Sequence, residues 1–137
     1  MAAPTDFAAV HTALRQVMLD HAPGMTASKD APGDLVVLAP FANPLKPKQP
    51  MFFGMVRSGK AYVGYHLMGL YMNPVLTAKV PPELKKRMQG LTCFNFTKVD
   101  EDLFAELAVL TAQCAEGFED RVTRMVDAYK AGKAGVR

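Results

Sequence analysis

The order of apolar and polar positions predicts a helix and a strand in the first third of the chain. Apolar residues recur at steps of three and four over residues 7–18, the period of an amphipathic helix, and HAPG (21–24) ends it. The polar segment MTASKDAPGD (25–34) is rich in turn-forming residues and predicts a loop. LVVLAP (35–40) then predicts a short buried strand, and FANPLKPKQP (41–50), with three prolines, predicts an extended loop.

The clearest local unit is MFFGMVRSGKAYVGYHLM, in which two apolar runs are joined at RSGK (57–60). Two apolar runs around a short turn containing glycine are typical of a β-hairpin. We expect Gly59 to adopt the positive φ of such a turn. Gly54 and Gly64, within the strands, are expected to mark a bulge or a close approach of the backbone.

The second half of the chain predicts a short helix, a strand and two longer helices. PPELKKRMQG (81–90) has prolines suited to a first helical turn and ends at Gly90, and LTCFNF (91–96) follows as a strand. Asp100 is placed to cap the next helix, and Gly117 separates it from the last one. Strands joined by tight turns, with helices gathered at the ends, predict an α+β fold.

Both strands of the predicted hairpin carry large apolar or aromatic residues on both faces, for example Phe52 beside Phe53 and Tyr65 beside His66. A sheet covered by helices on one face only should alternate between apolar and polar residues. The second face is therefore expected to be covered by a loop, a partner subunit or an apolar ligand. FANPLKPKQP or GLYMNPVLTAKV (69–80) could supply such a lid.

Charge is distributed unevenly. Residues 35–99 contain nine basic residues and a single acidic one, Glu83, whereas residues 1–34 sum to −2 and residues 100–137 to −3. This asymmetry favours either an anionic partner or pairing of the basic middle with the acidic ends.

Length and composition predict a single domain over residues 1–137, with residues 1–4 and 131–137 frayed. No apolar run is long enough to span a bilayer and no secretory signal is recognised, so we expect a cytoplasmic protein without membrane contact. Cys93 and Cys114 sit in apolar patterns and are expected to be reduced and buried.

The run from the hairpin to the next-to-last helix resembles the YdhG-like family of small bacterial proteins, some of which are called frataxin-like iron chaperones. The resemblance rests on FFGMVRSGKAYVGYHLM, RMQG, LTCFNF and VDEDLFAELAVLT, and covers about residues 50–114. It implies a two-layer α+β domain with helices packed on one face of a curved antiparallel sheet, which we expect to have about four strands. The iron binding of some relatives needs exposed carboxylates, which the sheet region here almost lacks, so no iron ligand is assigned.

Eight residues are candidates for a binding surface because of their charge or their aromatic character. Cations at the hairpin turn and on the short helix favour a small anionic ligand, and the aromatic side chains favour an apolar one. The candidates are Arg57, Lys60, Tyr62, His66, Tyr71, Lys85, Lys86 and Arg87.

The pattern alone assigns no catalytic residue and no metal ligand. Cys93 lies on the last strand, and a Cys–His pair would form if His66 lay opposite it on the same face. His66, Met68 and Met72 are soft enough for a cuprous ion, yet methionine is the ordinary filler of irregular cores, so we predict no metal site. RSGK lacks the glycine and the helix of a phosphate-binding loop.

The favoured function is a small bacterial non-enzymatic binding module that holds a ligand or partner on its sheet face, with a basic patch favouring anions. The first alternative is an enzyme that uses His66 with Cys93 or Tyr71, and the second is a structural homodimer without a ligand. Nucleic acid is a less favoured partner, kept open because Tyr62, Tyr65 and Tyr71 could stack on bases beside the cations. The sequence identifies no cofactor.

Overall fold

The structure is a computed structural model that describes residues 7–90 and 92–135, and the side chains of residues 7–90 and 92–131. Its elements follow in the order α1 (Phe7–His21), β1 (Thr26–Ala31), β2 (Asp34–Asn43), β3 (Lys46–Ser58), β4 (Val63–Leu67), the 3-10 helix η1 (Met68–Leu70), α2 (Pro74–Ala78), α3 (Pro82–Lys85), β5 (Met88–Gln89), β6 (Cys93–Phe96), α4 (Glu101–Ala115) and α5 (Phe118–Gly135).

The fold is α+β, as the order of elements predicted. Six antiparallel strands form one sheet in the order β1-β2-β3-β4-β6-β5. The expectation of about four strands is therefore wrong. The two missed strands are both at the edges: β1 is the polar segment TASKDA, exposed along almost its whole length, and β5 has two residues inside the predicted short helix. Edge strands with no buried face carry no hydrophobic alternation to reveal them.

The loop predicted for residues 41–50 is wrong for the same reason. β2 continues to Asn43 and β3 begins at Lys46, so this segment is the end of a long β2–β3 hairpin. Its residues are mostly exposed, which is why the sequence there is polar and rich in proline. The short helix predicted for residues 81–90 is limited to α3, and Gly90, with φ of 74°, serves the turn after β5 instead of a helix end.

The β3–β4 hairpin lies where the sequence placed it, with a turn closed by a hydrogen bond that the Gly59 amide donates to the Tyr62 carbonyl, 2.8 Å. Gly59 is not among the glycines with positive φ, so that expectation is wrong. Gly54 does mark a bulge, since the β2–β3 register shifts beside it between Val37 and Leu38. Gly117, with φ of 69°, separates α4 from α5 as predicted.

The core lies between one face of the sheet and the long helices. α1 packs on β3, β4 and α4. The Phe53 ring meets the edge of Phe118 on α5 at 5.2 Å between centroids, and Phe96 meets Phe104 on α4 at 5.0 Å. These contacts fix which face of each strand is inward: Val63, Tyr65 and Leu67 are buried, while the residues between them are half buried and outward.

The chain ends fall partly outside the described residues. The predicted fraying of residues 1–4, and that of residues 136–137, concerns positions that the structure does not describe. Residues 131–135 form the end of α5.

Candidate functional site

The face of the sheet opposite the helices, here called the open face, carries the candidate site. Its central residues on β3 and β4, including Phe52, Met55 and His66, are only half buried. Neither predicted lid covers it, because residues 41–50 continue two strands, and η1 and α2 lie on the helix side, where η1 contacts α4. Leu76 of α2 belongs to the main core.

Register brings two chemically active side chains together on the open face. His66 on β4 and Cys93 on β6 are directly opposed, and His66 Nδ1 lies 3.1 Å from Cys93 Sγ. The Thr92 hydroxyl oxygen lies 3.2 Å from Nδ1 and 3.4 Å from Nε2, and the Phe52 ring lies 5.4 Å from the imidazole. The imidazole is therefore held in place from three sides.

Both members of this pair are uncharged near neutral pH. Partial burial lowers the pKa of His66 and raises the pKa of Cys93, because it disfavours the charged form of each group. The contact is then a hydrogen bond between a neutral thiol and a neutral imidazole. The arrangement differs from the thiolate–imidazolium pair of an activated nucleophile.

Beside the pair is a depression of about 460 Å³ at the hairpin end of the open face. We call it the Gly64 concavity, and its walls include Arg57, Lys60, Tyr62, Gly64, Cys93 and Asn95. Gly64 lies directly between Arg57 and Asn95 on one rung of the sheet. A Cβ built there would meet nothing closer than the Asn95 side-chain oxygen at 3.7 Å, so the space above this glycine is open.

Gln89 of β5 organises the polar side of the concavity. Its side-chain oxygen accepts a 2.7 Å hydrogen bond from the Asn95 amide and a 3.4 Å bond from the Tyr62 hydroxyl. The edge strand β5, which the sequence did not reveal, thus positions two groups of the site. The one signal available was the alternation of Cys93 and Asn95, which placed both on one face of β6.

The cations of the concavity are only partly neutralised. Asp34 pairs with Lys29 at 2.7 Å and with Arg57 at 3.2 Å, so one carboxylate serves two basic groups. The hydrogen bond from Lys29, followed by the one from Arg57, lowers the pKa of Asp34 below its usual range. Lys60 has no ion pair within the described residues.

The lysines and arginine of the short helix lie in a different place. Lys86 pairs with Glu83 at 3.0 Å, and Lys86 and Arg87 border a separate cleft together with four acidic residues, Glu83, Asp100, Asp102 and Glu106. Lys85 is exposed and lines neither depression. This cleft matches the alternative in which the basic middle pairs with the acidic end of the chain.

The predicted binding residues are thus divided. Arg57, Lys60 and Tyr62 line the concavity, and His66 adjoins it through Cys93. Tyr71, just after η1, is 52% exposed and does not line the concavity. Tyr65, weighed as a base-stacking residue, is fully buried in the core.

Comparison of the chain with models of known protein families, with curated proteins and with solved structures found no match. The resemblance to the YdhG-like family accordingly stays a prediction. No helix within residues 7–90 and 92–135 is both long and apolar enough to cross a lipid bilayer. Within the same residues, no three side chains of the His, Cys, Asp and Glu types converge on a point.

Proposed function

We propose that the protein is a binding module that holds a small organic anion in the Gly64 concavity of its open face. The observation that carries this proposal is the open space above Gly64, flanked by Arg57 on one side and Asn95 on the other. A glycine in a strand forfeits side-chain packing, and its position here leaves room for a ligand against the backbone.

The walls suit a molecule with one flat apolar part and one anionic group. A depression of about 460 Å³ is within the usual range for a small-molecule site. The Tyr62 ring offers an apolar wall, while the side-chain amide of Asn95 supplies a polar contact. Lys60, at the rim and without an ion pair among the described residues, is the cation most available to a carboxylate or phosphate.

The test compares benzoate with benzamide, which has nearly the same shape and no charge. Backbone amide shifts of the isotope-labelled protein are followed during titration. Benzoate is expected to shift the amide resonances of Gly64 and of the residues opposite it, Arg57 and Asn95. Benzamide is expected to bind more weakly. Gly64→Val, which fills the floor, abolishes the shifts, and Lys60→Gln weakens benzoate binding about three- to tenfold while leaving benzamide unchanged.

The control is Lys85→Gln, which removes the same charge outside the concavity. Equal weakening by Lys60→Gln and Lys85→Gln would show that only net charge matters, and unchanged binding by Gly64→Val would place the ligand elsewhere. Either result would overturn the proposal. Inorganic phosphate is titrated in parallel to separate a need for the apolar part from simple anion binding.

A second candidate, thiol-dependent catalysis, is favoured by the 3.1 Å contact between His66 and Cys93. The Tyr71 version of this enzyme has no comparable contact, since that side chain lies outside the concavity. Turnover of an activated thioester that is lost in both Cys93→Ser and His66→Phe would support this candidate. Retention of turnover in Cys93→Ser would eliminate it.

The homodimer without a ligand and membership of the YdhG-like family also remain proposals. Native mass spectrometry of the purified protein reads the number of subunits and any retained mass together. A dimer without extra mass would favour the open face as an interface between two chains.

A further inference from the structure

We propose that Met55, His66 and Cys93 form a binding site for a soft monovalent metal ion, Cu(I), on the open face. The three residues occupy directly opposed positions on three adjacent strands: Met55 pairs with His66 between β3 and β4, and His66 pairs with Cys93 between β4 and β6. They therefore form one row across the sheet, with the imidazole at the centre and a sulfur on either side.

The register places the three donors side by side on one face of the sheet. Directly opposed residues have Cβ atoms about 4.5–5.5 Å apart, and a methionine side chain is long and flexible enough to bend toward its neighbour. His66 Nδ1 and Cys93 Sγ are 3.1 Å apart. Two donors on one ion, with bond lengths of about 2.1 and 2.3 Å, stand about 3.6–3.8 Å apart, so a small rotation of either side chain admits a metal.

The three donor atoms favour soft metal ions over hard ones. A thiolate, a thioether and an imidazole are preferred ligands of Cu(I), whereas hard cations require oxygen donors. The same row continues to Val36 on one side and Gln89 on the other, and it contains no carboxylate. Because no three His, Cys, Asp or Glu side chains converge within the described residues, the row offers no ordinary zinc or iron ligand set.

Neighbouring side chains hold the central ligand in a fixed orientation. The Phe52 ring lies 5.4 Å from the imidazole at an angle of 41°, and the Thr92 hydroxyl oxygen lies 3.4 Å from Nε2, the ring nitrogen that does not face Cys93, and 3.2 Å from Nδ1. Partners that orient a histidine contribute to metal affinity in known sites. The half-buried position of the row also leaves it open to an ion delivered from solution or from another protein.

Binding is a simple exchange. Cu(I) takes the place of the thiol proton of Cys93, which leaves to solvent, and the lone pair of His66 Nδ1 coordinates the metal. No electron is transferred and no other reactant is needed. Met68 and Met72 lie after the end of β4, whereas the register places Met55 directly beside His66.

This site is independent of the anion proposed for the Gly64 concavity. Cys93 borders both sites, but Met55 and His66 are not part of the concavity wall, and Lys60 is not part of the metal row. Gly64→Val is therefore expected to lose the anion and retain Cu(I). Met55→Leu is expected to weaken Cu(I) binding and to retain the anion, so the two proposals can fail separately.

The test is an anaerobic titration of the reduced protein with Cu(I) in competition with the chromophoric chelator bicinchoninate. The native chain is expected to withdraw one Cu(I) per chain. Cys93→Ala and His66→Phe are expected to weaken binding at least about tenfold, since loss even of an outer partner of a ligand costs that much. Met55→Leu weakens it less, because a thioether is the weakest of the three donors.

Matched controls separate this row from other sulfur atoms. Met68→Leu and Cys114→Ala remove a methionine and a cysteine outside the row and should leave the competition unchanged. Circular dichroism confirms that each variant is folded. Unaltered binding by Cys93→Ala, no withdrawal of Cu(I) by the native chain, or one Cu(I) per two chains would each overturn the proposal.

Discussion

His66 and Cys93 face each other across one rung of the sheet, with Nδ1 3.1 Å from Sγ, although 27 positions separate them in the chain. The contact exists because β4 pairs with β6, and β5 lies outside β6 at the edge. A register one residue different would turn Cys93 toward the helices and break the pair. The most reactive groups of the open face therefore depend on strand pairing and on no local motif.

The two cysteines are expected to differ sharply in reactivity. Cys93 is half buried beside His66, whereas Cys114 is fully buried on α4, where burial raises the pKa of its thiol to about 12. In the folded protein at pH 8, iodoacetamide should alkylate Cys93 alone, and both thiols should react in denaturant. Peptide mass mapping checks this, and alkylation of Cys114 before unfolding would contradict the packing described.

The same substitution at two glycines of the central strands should change the free energy of unfolding by very different amounts. A Cβ at Gly54 would lie 2.6 Å from the His66 carbonyl oxygen and 2.7 Å from Met18 Cε. Gly54→Ala must therefore displace backbone, and we expect it to lower the free energy of unfolding by about 1–3 kcal/mol or more. Gly64→Ala, with no contact under 3.7 Å, should change it by less than about 0.5 kcal/mol.

Chemical denaturation of the two variants measures this difference. Equal midpoints for Gly54→Ala and the native protein would show that β3 and β4 are farther apart than the structure has them. Strong destabilisation by Gly64→Ala would mean that the floor of the concavity is already filled.

The sequence predicted the elements with a buried face and missed those without one. α1, α4 and the β3–β4 hairpin each carry enough apolar residues in the right period to be recognised. TASKDA has no such period, because β1 is an edge strand whose side chains are almost all exposed, and the pairing of Asp30 with Leu35 on β2 leaves no trace in local sequence. The strand count was therefore too low.

The candidate site was predictable only in part. The cations of the hairpin turn and Tyr62 are near one another in sequence, and the turn alone was enough to group them. Lys85 and Arg87 appeared equivalent to them in charge, but Lys85 lines neither depression, and Arg87 lines a separate cleft with Asp102 at the start of α4. Side-chain identity gives the charge of a residue, while only tertiary packing determines which charges surround it.

Alkaline pH should destabilise the protein through Cys114. Because burial raises the pKa of this thiol from 9.0 to about 12, with Arg121 opposing the shift, the folded chain holds the proton more tightly than the unfolded chain. Its contribution to stability is complete below pH 9 and is lost as pH rises toward 12, at about 1.4 kcal/mol per pH unit. Burial likewise raises the pKa of Tyr65, which adds to the loss above pH 10.

Urea denaturation at several pH values checks this dependence. Cys114→Ala should reduce the slope of the free energy of unfolding against pH between pH 9 and pH 12, although this variant is less stable at pH 7. A slope that is the same in Cys114→Ala and in the native protein would assign the alkaline loss to other groups.

Two buried hydrogen bonds link Tyr65 of the sheet to Thr111 and Leu107 of α4. Substitutions of Tyr65 and of Thr111 should lower the free energy of unfolding by different amounts. The Tyr65 hydroxyl donates to Thr111 Oγ1 at 2.6 Å, and Thr111 donates to the Leu107 carbonyl at 2.8 Å. Tyr65→Phe removes the donor and leaves no buried polar atom of its own, so we expect a loss of about 1 kcal/mol. Thr111→Val leaves the Tyr65 hydroxyl buried without an acceptor and should lower the free energy of unfolding by about 2–3 kcal/mol.

The double variant, measured by thermal unfolding, should lose less stability than the sum of the two single variants, because it has no buried hydroxyl without an acceptor. Additive losses would mean that the two hydroxyl groups do not interact.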